Sequence, residues 1–385
     1  MQFRVGSLSA LEEGQIPLRI VHQYNKHLPL RLLLLFLLLG VGLVVFLYVS
    51  MYTYRCIGIH SVEPSRIQTH EGCVEGLESW IRPPSNLVHE MNDTELFWCA
   101  SLVPTIQNYP FNRTPKIAFM FLTRGPLPLS PLWDRFFEGN DRLYSIYIHS
   151  SPSYDPDFEP SSPFYGRQIP SKVAEWGRMN MCDAERRLLA NALLDVSNEW
   201  FVLVSEACIP LKNFSTIYTY ISQSHFSFLG AFDEDSPNAR GRYNWGMEPE
   251  VNLSDWRKGS QWFELSRKLA LAVVRDTLYY PKFKHFCRAD SCYSDEHYLP
   301  TMLTLQSTRS LANRTLTWVD WSRGGPHPAL YDEADLTESF FKDVVDGGSC
   351  MYNNHTTNLC FLFARKIAPS ALDHLLSNSL EFFGF

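Results

Sequence analysis

Three largely apolar runs constrain this chain more than any other feature: residues 117–122, 143–148 and 200–204. A strand with one face in water alternates apolar and polar side chains, whereas a strand apolar along its length is buried on both faces, as in a parallel sheet covered by helices. Each run stops at polar residues, namely Thr123-Arg124-Gly125, His149-Ser150 and Ser205-Glu206. Before the third run, residues 183–196 carry apolar side chains at 188, 189, 192, 193 and 196, the spacing of an amphipathic helix. A fourth strand is expected over 226–232, ending in Asp233-Glu234-Asp235. Further on, a helix is expected over 263–278 and a last strand over 360–364. These elements predict an α/β fold with a mostly parallel central sheet and helices on both faces. Such sheets bind ligands beyond the C-terminal ends of their strands, which would gather Thr123, Arg124, His149, Ser205 and Glu206 at one site.

A second constraint lies upstream. Residues 32–49 are 18 positions without a charge, roughly 27 Å as a helix and enough for a thin bilayer. The run is too long and too far from the N-terminus for a signal-peptide core, and no small-residue cleavage site follows it. An uncleaved anchor is therefore expected over 32–52. Arg19, Lys26 and Arg31 lie before it within about 15 residues, against Arg55 alone after it, which places 1–31 in the cytosol. Residues 53–114, rich in Pro, Ser, Glu and His with little periodicity, read as a stem, and 115–385 as the globular domain. Two counts agree with a lumenal domain. The glycosylation sequons at Asn92, Asn112, Asn213, Asn252, Asn313 and Asn354 all follow the span, as do all nine cysteines. Cys56 sits at the membrane edge, left for acylation or a bridge between two copies. The other eight are an even set suited to disulfides, with 105 connectivities open. With 45% hydrophobic residues and a formal net charge of -7, the chain can bury a large core, and neither disorder nor nucleic-acid binding is expected.

The stretch 287–303 concentrates titratable groups: two cysteines flank a polar loop, and Asp295, Glu296 and His297 enter an apolar run. A carboxylate at such a boundary is placed to serve as a general base, although acidic residues also favour helix N-termini. Asp233-Glu234-Asp235 has the form of an Asp-x-Asp pair that holds a divalent ion, yet Ser236-Pro237 follows as in an ordinary turn, and no metal is expected. Thiols near His297 pair with each other in an oxidising lumen rather than with zinc. A Gly-rich phosphate loop and a Gly-x-Ser-x-Gly elbow are both missing, which removes the kinase and hydrolase readings.

Several motifs then occur in a fixed order: the strand ending in Thr123-Arg124-Gly125, Tyr-Ile-His-Ser at 147–150, Glu-Trp-Gly-Arg at 175–178, Phe-Val-Leu-Val-Ser-Glu-Ala-Cys-Ile-Pro-Leu at 201–211, Ser-Asp-Glu-His at 294–297 and Cys-Phe-Leu-Phe-Ala-Arg-Lys at 360–366. Together, over about residues 115–375, they resemble the core-2/I-branching β-1,6-N-acetylglucosaminyltransferase family, particularly its plant branch. The animal members' Gly-x-Asp-Phe-Pro is replaced here by Glu206-Ala-Cys-Ile-Pro210. The resemblance implies a GT-A-like nucleotide-sugar fold and a type II Golgi enzyme. It places the catalytic base at Glu296 and a donor-diphosphate contact at Lys366, with Arg323 and Lys342 both candidates for the basic residue that assists it. On the donor side it adds Ser150 and Arg178 to the strand-end residues, and on the acceptor side Asp295 and Trp321. The expected reaction is inverting transfer of a sugar, N-acetylglucosamine or a relative, from a UDP sugar to a hydroxyl of a glycan or glycoprotein, with no metal cofactor. The alternative is a catalytically silent protein that binds glycans through its Trp-rich loops.

Overall fold

The structure, a computed structural model, describes residues 37, 39–49, 87–105, 108–288 and 291–385. The chain divides into two units, 1–67 and 68–385. In the first, residues 37 and 39–49 are helical, and no helix among the described residues is long and apolar enough to cross a membrane. The rest of the expected span, Cys56 and the stem up to residue 86 lie outside the described residues.

The second unit is built on a four-stranded sheet ordered β2-β1-β3-β5, comprising β1 (Lys116–Leu122), β2 (Tyr144–His149), β3 (Asn198–Ser205) and β5 (Glu264–Ser266). The first three are parallel and β5 runs antiparallel at the edge. The expected mixed α/β architecture with a mostly parallel sheet is therefore the observed one. Leu122 lies opposite both His149 and Ser205, so the three parallel strands end level and present Thr123, Ser150 and Glu206 side by side.

Because side chains alternate across a strand, the apolar runs feed two cores. Ala118, Met120, Phe201 and Leu203 pack on one face against α1 (Asp93–Ser101), α3 (Met179–Leu193), α5 (Arg267–Arg275) and α7 (Ser294–Ser307). Ile117, Phe119, Phe121, Val202 and Val204 face α2 (Ser130–Phe137), α4 (Phe214–Ser222) and the C-terminal elements. Helix α1 falls inside the stretch expected to be stem, yet Leu96 and Ala100 are buried in the first core. Its start is a capping box in which the Asn92 side chain accepts from the backbone N–H groups of Thr94 and Glu95.

Two expected elements differ. Residues 226–232 form no strand but isolated bridges to Leu311, Glu264 and Lys258. At Gly230 the chain crosses Gly259 so closely that a Cβ on Gly259 would lie 1.8 Å from the Gly230 carbonyl oxygen, a crossing that no ladder accommodates. The helix expected over 263–278 is instead β5 followed by α5, which stops at Arg275, and a separate helix α6 (Tyr279–Phe286) begins just past its expected end. Asp276 makes the break, its carboxylate accepting from the backbone N–H groups of Leu278, Tyr279 and Tyr280 at the start of α6. A second sheet, ordered β4-β9-β6, joins β4 (Ile209–Pro210), β9 (Phe363–Arg365) and β6 (Thr317–Val319) beside the parallel strands.

Candidate active site

A cavity of about 1120 Å³ opens where β1, β2 and β3 end. It brings together Thr123, Arg124, His149, Ser150, Ser205, Glu206, Asp295, Glu296, Trp321 and Lys366, ten residues that the sequence nominates. Arg178, Arg323 and Lys342 are not part of its lining. Arg178 precedes α3 with an exposed side chain 3.5 Å from Glu175. Arg323 is exposed with its guanidinium 5.3 Å from the Tyr331 ring centre, and Lys342 is exposed on α8 (Glu338–Asp346).

The strand ends are rigid. The Thr123 hydroxyl accepts from the Gly125 N–H and closes the turn that carries Arg124. His149 is buried, its Nε2 accepting from the Lys172 N–H. Burial, with the nearby Arg187 charge, pulls its pKa down to about 3, so the ring is neutral and holds the loop after residue 170. Ser150 donates its backbone N–H to Ser171 Oγ. Ser205 Oγ accepts from the Ala207 N–H and touches the buried thiol of Cys208 at 3.3 Å.

One wall is cationic. Arg365 ends β9 and Lys366 follows it, both on the lining with Arg124, and the Arg365 guanidinium lies 4.2 Å over Trp262. Burial depresses the pKa of both Lys366 and Arg365, and for Lys366 the neighbouring Arg365 charge adds to it. His327, also on the lining, has its pKa lowered by burial and then by Lys366, Arg124 and Arg365. None of these three basic residues forms an ion pair with a carboxylate among the described residues. Such a wall suits a multiply charged anion.

A pair of carboxylates on the same lining starts α7. Glu296 Oε2 accepts from Arg242 at 2.7 Å and lies 3.9 Å from Lys258 Nζ. Its carbonyl oxygen accepts from the Gly259 N–H, fixing the backbone as well. Asp295 is buried with Oδ1 unpartnered, and burial followed by the Glu296 charge raises its pKa to about 6. His297 faces away from the cavity. Its ring stacks on Trp256 at 4.5 Å, and Nδ1 donates to the Arg257 carbonyl. Trp321 and Trp176 are exposed on the lining. Asp233 is engaged rather than open, receiving two hydrogen bonds from Arg240 with Arg257 at 4.0 Å.

Sequence reasoning missed Arg242, Lys258, Arg365 and Trp176. Arg242 and Lys258 come from loops between the third strand and α7, where no period marks which side chain turns inward. Arg365 stands beside the chosen Lys366 and was passed over for more distant residues.

The cysteines pair as Cys287–Cys292 and Cys350–Cys360, Cys99 is disulfide-bonded, and Cys182 and Cys208 are free and buried.

Residues 117–345, more than half of the chain, match the family model described as Core-2/I-Branching enzyme. The chain is also 37% identical over 309 residues to Glycosyltransferase BC10 of Oryza sativa subsp. japonica, an alignment covering 69% of this chain and 77% of that protein. These matches displace the silent glycan-binding alternative. The chain belongs to the core-2/I-branching enzyme family and is a glycosyltransferase.

Proposed function

We propose that the cavity transfers a sugar from a UDP-sugar donor, N-acetylglucosamine or a relative, to a hydroxyl of a glycan or glycoprotein acceptor in one inverting displacement. The observation that carries this reading is that a single cavity is lined both by Glu296 and by the basic cluster Arg124, Arg365 and Lys366. Inversion needs a base for the acceptor hydroxyl and counter-charge for the departing diphosphate. Glu296 takes the hydroxyl proton. Arg242 and Lys258 hold its Oε2 in place. The cationic wall neutralises the diphosphate as the bond to the sugar breaks, the role a divalent ion would otherwise fill. The strand-end turns carrying Arg124 and Glu206 frame the donor, and Trp321 offers an apolar face to an acceptor ring.

The same reading places the enzyme in the Golgi membrane, anchored through 32–52 with its globular domain in the lumen. Support comes from the sequon asparagines, of which Asn92, Asn112, Asn252, Asn313 and Asn354 are exposed and Asn213 half-buried. The disulfides also suit an oxidising compartment.

The test is a panel of nucleotide sugars and glycan acceptors with the purified enzyme, product stereochemistry being followed by NMR. Transfer with inversion from a UDP sugar, persisting in excess chelator, is expected. Retention of configuration, or loss in EDTA restored by Mg or Mn, would overturn the mechanism.

A further inference from the structure

Five features converge on Tyr293, a residue to which the reaction above assigns nothing. Its backbone is left-handed, with φ 54° and ψ 74° at the residue before α7, a conformation that costs a side-chain-bearing residue energy and persists only where the surroundings impose it. The Cys287–Cys292 disulfide closes the loop immediately before it. Gly177 faces the ring with φ +75°, and a Cβ there would lie 2.8 Å from it, so the chain gives up a side chain to admit the ring. Trp176 packs on the ring with centroids 4.8 Å apart. The face of the ring carries the Arg242 guanidinium, 4.3 Å from its centre, and the same guanidinium grips Glu296 Oε2 at 2.7 Å.

We propose that Tyr293 is a positioning residue which acts through Arg242, its ring fixing the guanidinium in the one orientation that aims the Glu296 carboxylate at the acceptor. This rests on Glu296 being the base. A guanidinium on a long side chain has many rotamers, and an aromatic face removes most of them while leaving its N–H groups free at the edge. The phenol hydroxyl has no part in this. The aromatic face does the work, so phenylalanine substitutes for tyrosine and leucine does not.

The experiment is a double-mutant cycle on turnover in the full enzyme, with melting temperatures recorded for every variant. Tyr293→Leu is expected to lower kcat by about 10-fold or more with little change in donor KM, as small misplacements of a catalytic group do. Tyr293→Phe should recover turnover to within about threefold of the unaltered enzyme. In an Arg242→Ala background, Tyr293→Leu should cost nothing further, because the route through Arg242 is already cut. An equal loss in both backgrounds, or a Tyr293→Phe enzyme as slow as Tyr293→Leu, would overturn the proposal. If Tyr293→Leu does not fold, the other two arms still decide: Tyr293→Phe must keep turnover within about threefold and Arg242→Ala must lose about 10-fold or more in kcat, and failure of either overturns the proposal. Glu296→Gln measured alongside separates the two levels. An active Glu296→Gln enzyme removes the base assignment itself, whereas an inactive one with wild-type turnover in Tyr293→Leu removes only this inference.

Discussion

Arg365 is a cation set largely out of water, with the Glu206 carboxylate acting on it only from beyond ion-pair distance. Its guanidinium covers Trp262 and its Nε is buried without a partner, and burial draws its pKa down against the opposing influence of the Cys208 thiol and the Glu206 carboxylate. A buried charge without a close ion-pair partner is costly, so in a ligand-free domain this residue should destabilise. An arriving diphosphate would reverse that. Arg365→Met is therefore expected to leave the melting temperature of the free enzyme unchanged or higher, while UDP affinity falls by about 10- to 100-fold and the thermal stabilisation by UDP shrinks accordingly. Calorimetric titration with UDP and a melting curve on the same protein check this. A variant that melts early and binds UDP normally would mark Arg365 as structural. Sequence alone marked the neighbouring Lys366 through its motif but looked to Arg323 or Lys342 for the second cation. Nothing in local composition says that those two point to solvent while Arg365 lies over an indole 103 positions earlier in the chain.

At the scale of elements, the parallel strands were legible and the edge strand was not. Residues 117–122 and 200–204 are apolar at nearly every position, which only a sheet covered on both faces can use. β5 is three residues long and carries Glu264 into the core. A carboxyl there defeats any hydrophobic pattern, and Phe263 to Leu278 reads as one helix. Burial pushes the Glu264 pKa up to about 8, against hydrogen bonding from the Leu316 N–H. The folded state thus keeps a proton that the unfolded chain releases above its ordinary value of 4.5. Unfolded chain binds fewer protons across that window, so stability is fully present below about pH 4.5 and falls as pH rises toward about 8. Glu264→Gln resembles the protonated acid and has no proton to lose. It should match the unaltered protein at pH 5 and exceed it at pH 8 by on the order of a few kcal/mol in denaturant unfolding. Equal stability of the two proteins at pH 8 would mean that Glu264 is ionised in the fold and compensated.

At the scale of the whole molecule, we propose a membrane anchor over 32–52 and a lumenal domain whose strand-end cavity is lined by both acidic and basic side chains. The proposed topology rests on the basic flank before residue 32 and on the sequons, five of whose six asparagines are exposed. Endoglycosidase treatment should lower the apparent mass, and protease added to intact microsomes should spare the domain. Digestion of the domain under those conditions would reverse the orientation. The location of the cavity was legible because β1, β2 and β3 end level, so polar residues far apart in sequence, Thr123, His149 and Glu206, meet by register alone. Its acidic wall was legible only through Ser294-Asp-Glu-His297, and the arginine that grips Glu296 was not, because a long loop brings it from 54 positions away.

The most direct measurement of the central claim is turnover of Glu296→Gln beside its affinity for UDP. Glutamine keeps the shape and can still pair with its neighbours, but it accepts no proton from the acceptor. General-base catalysis is typically worth about 100- to 10,000-fold, so kcat should fall by that order while the UDP dissociation constant and the melting temperature stay close to those of the unaltered enzyme. A folded Glu296→Gln enzyme with unaltered turnover would contradict the account and pass the role to another carboxylate on the lining, Asp295 or Glu206.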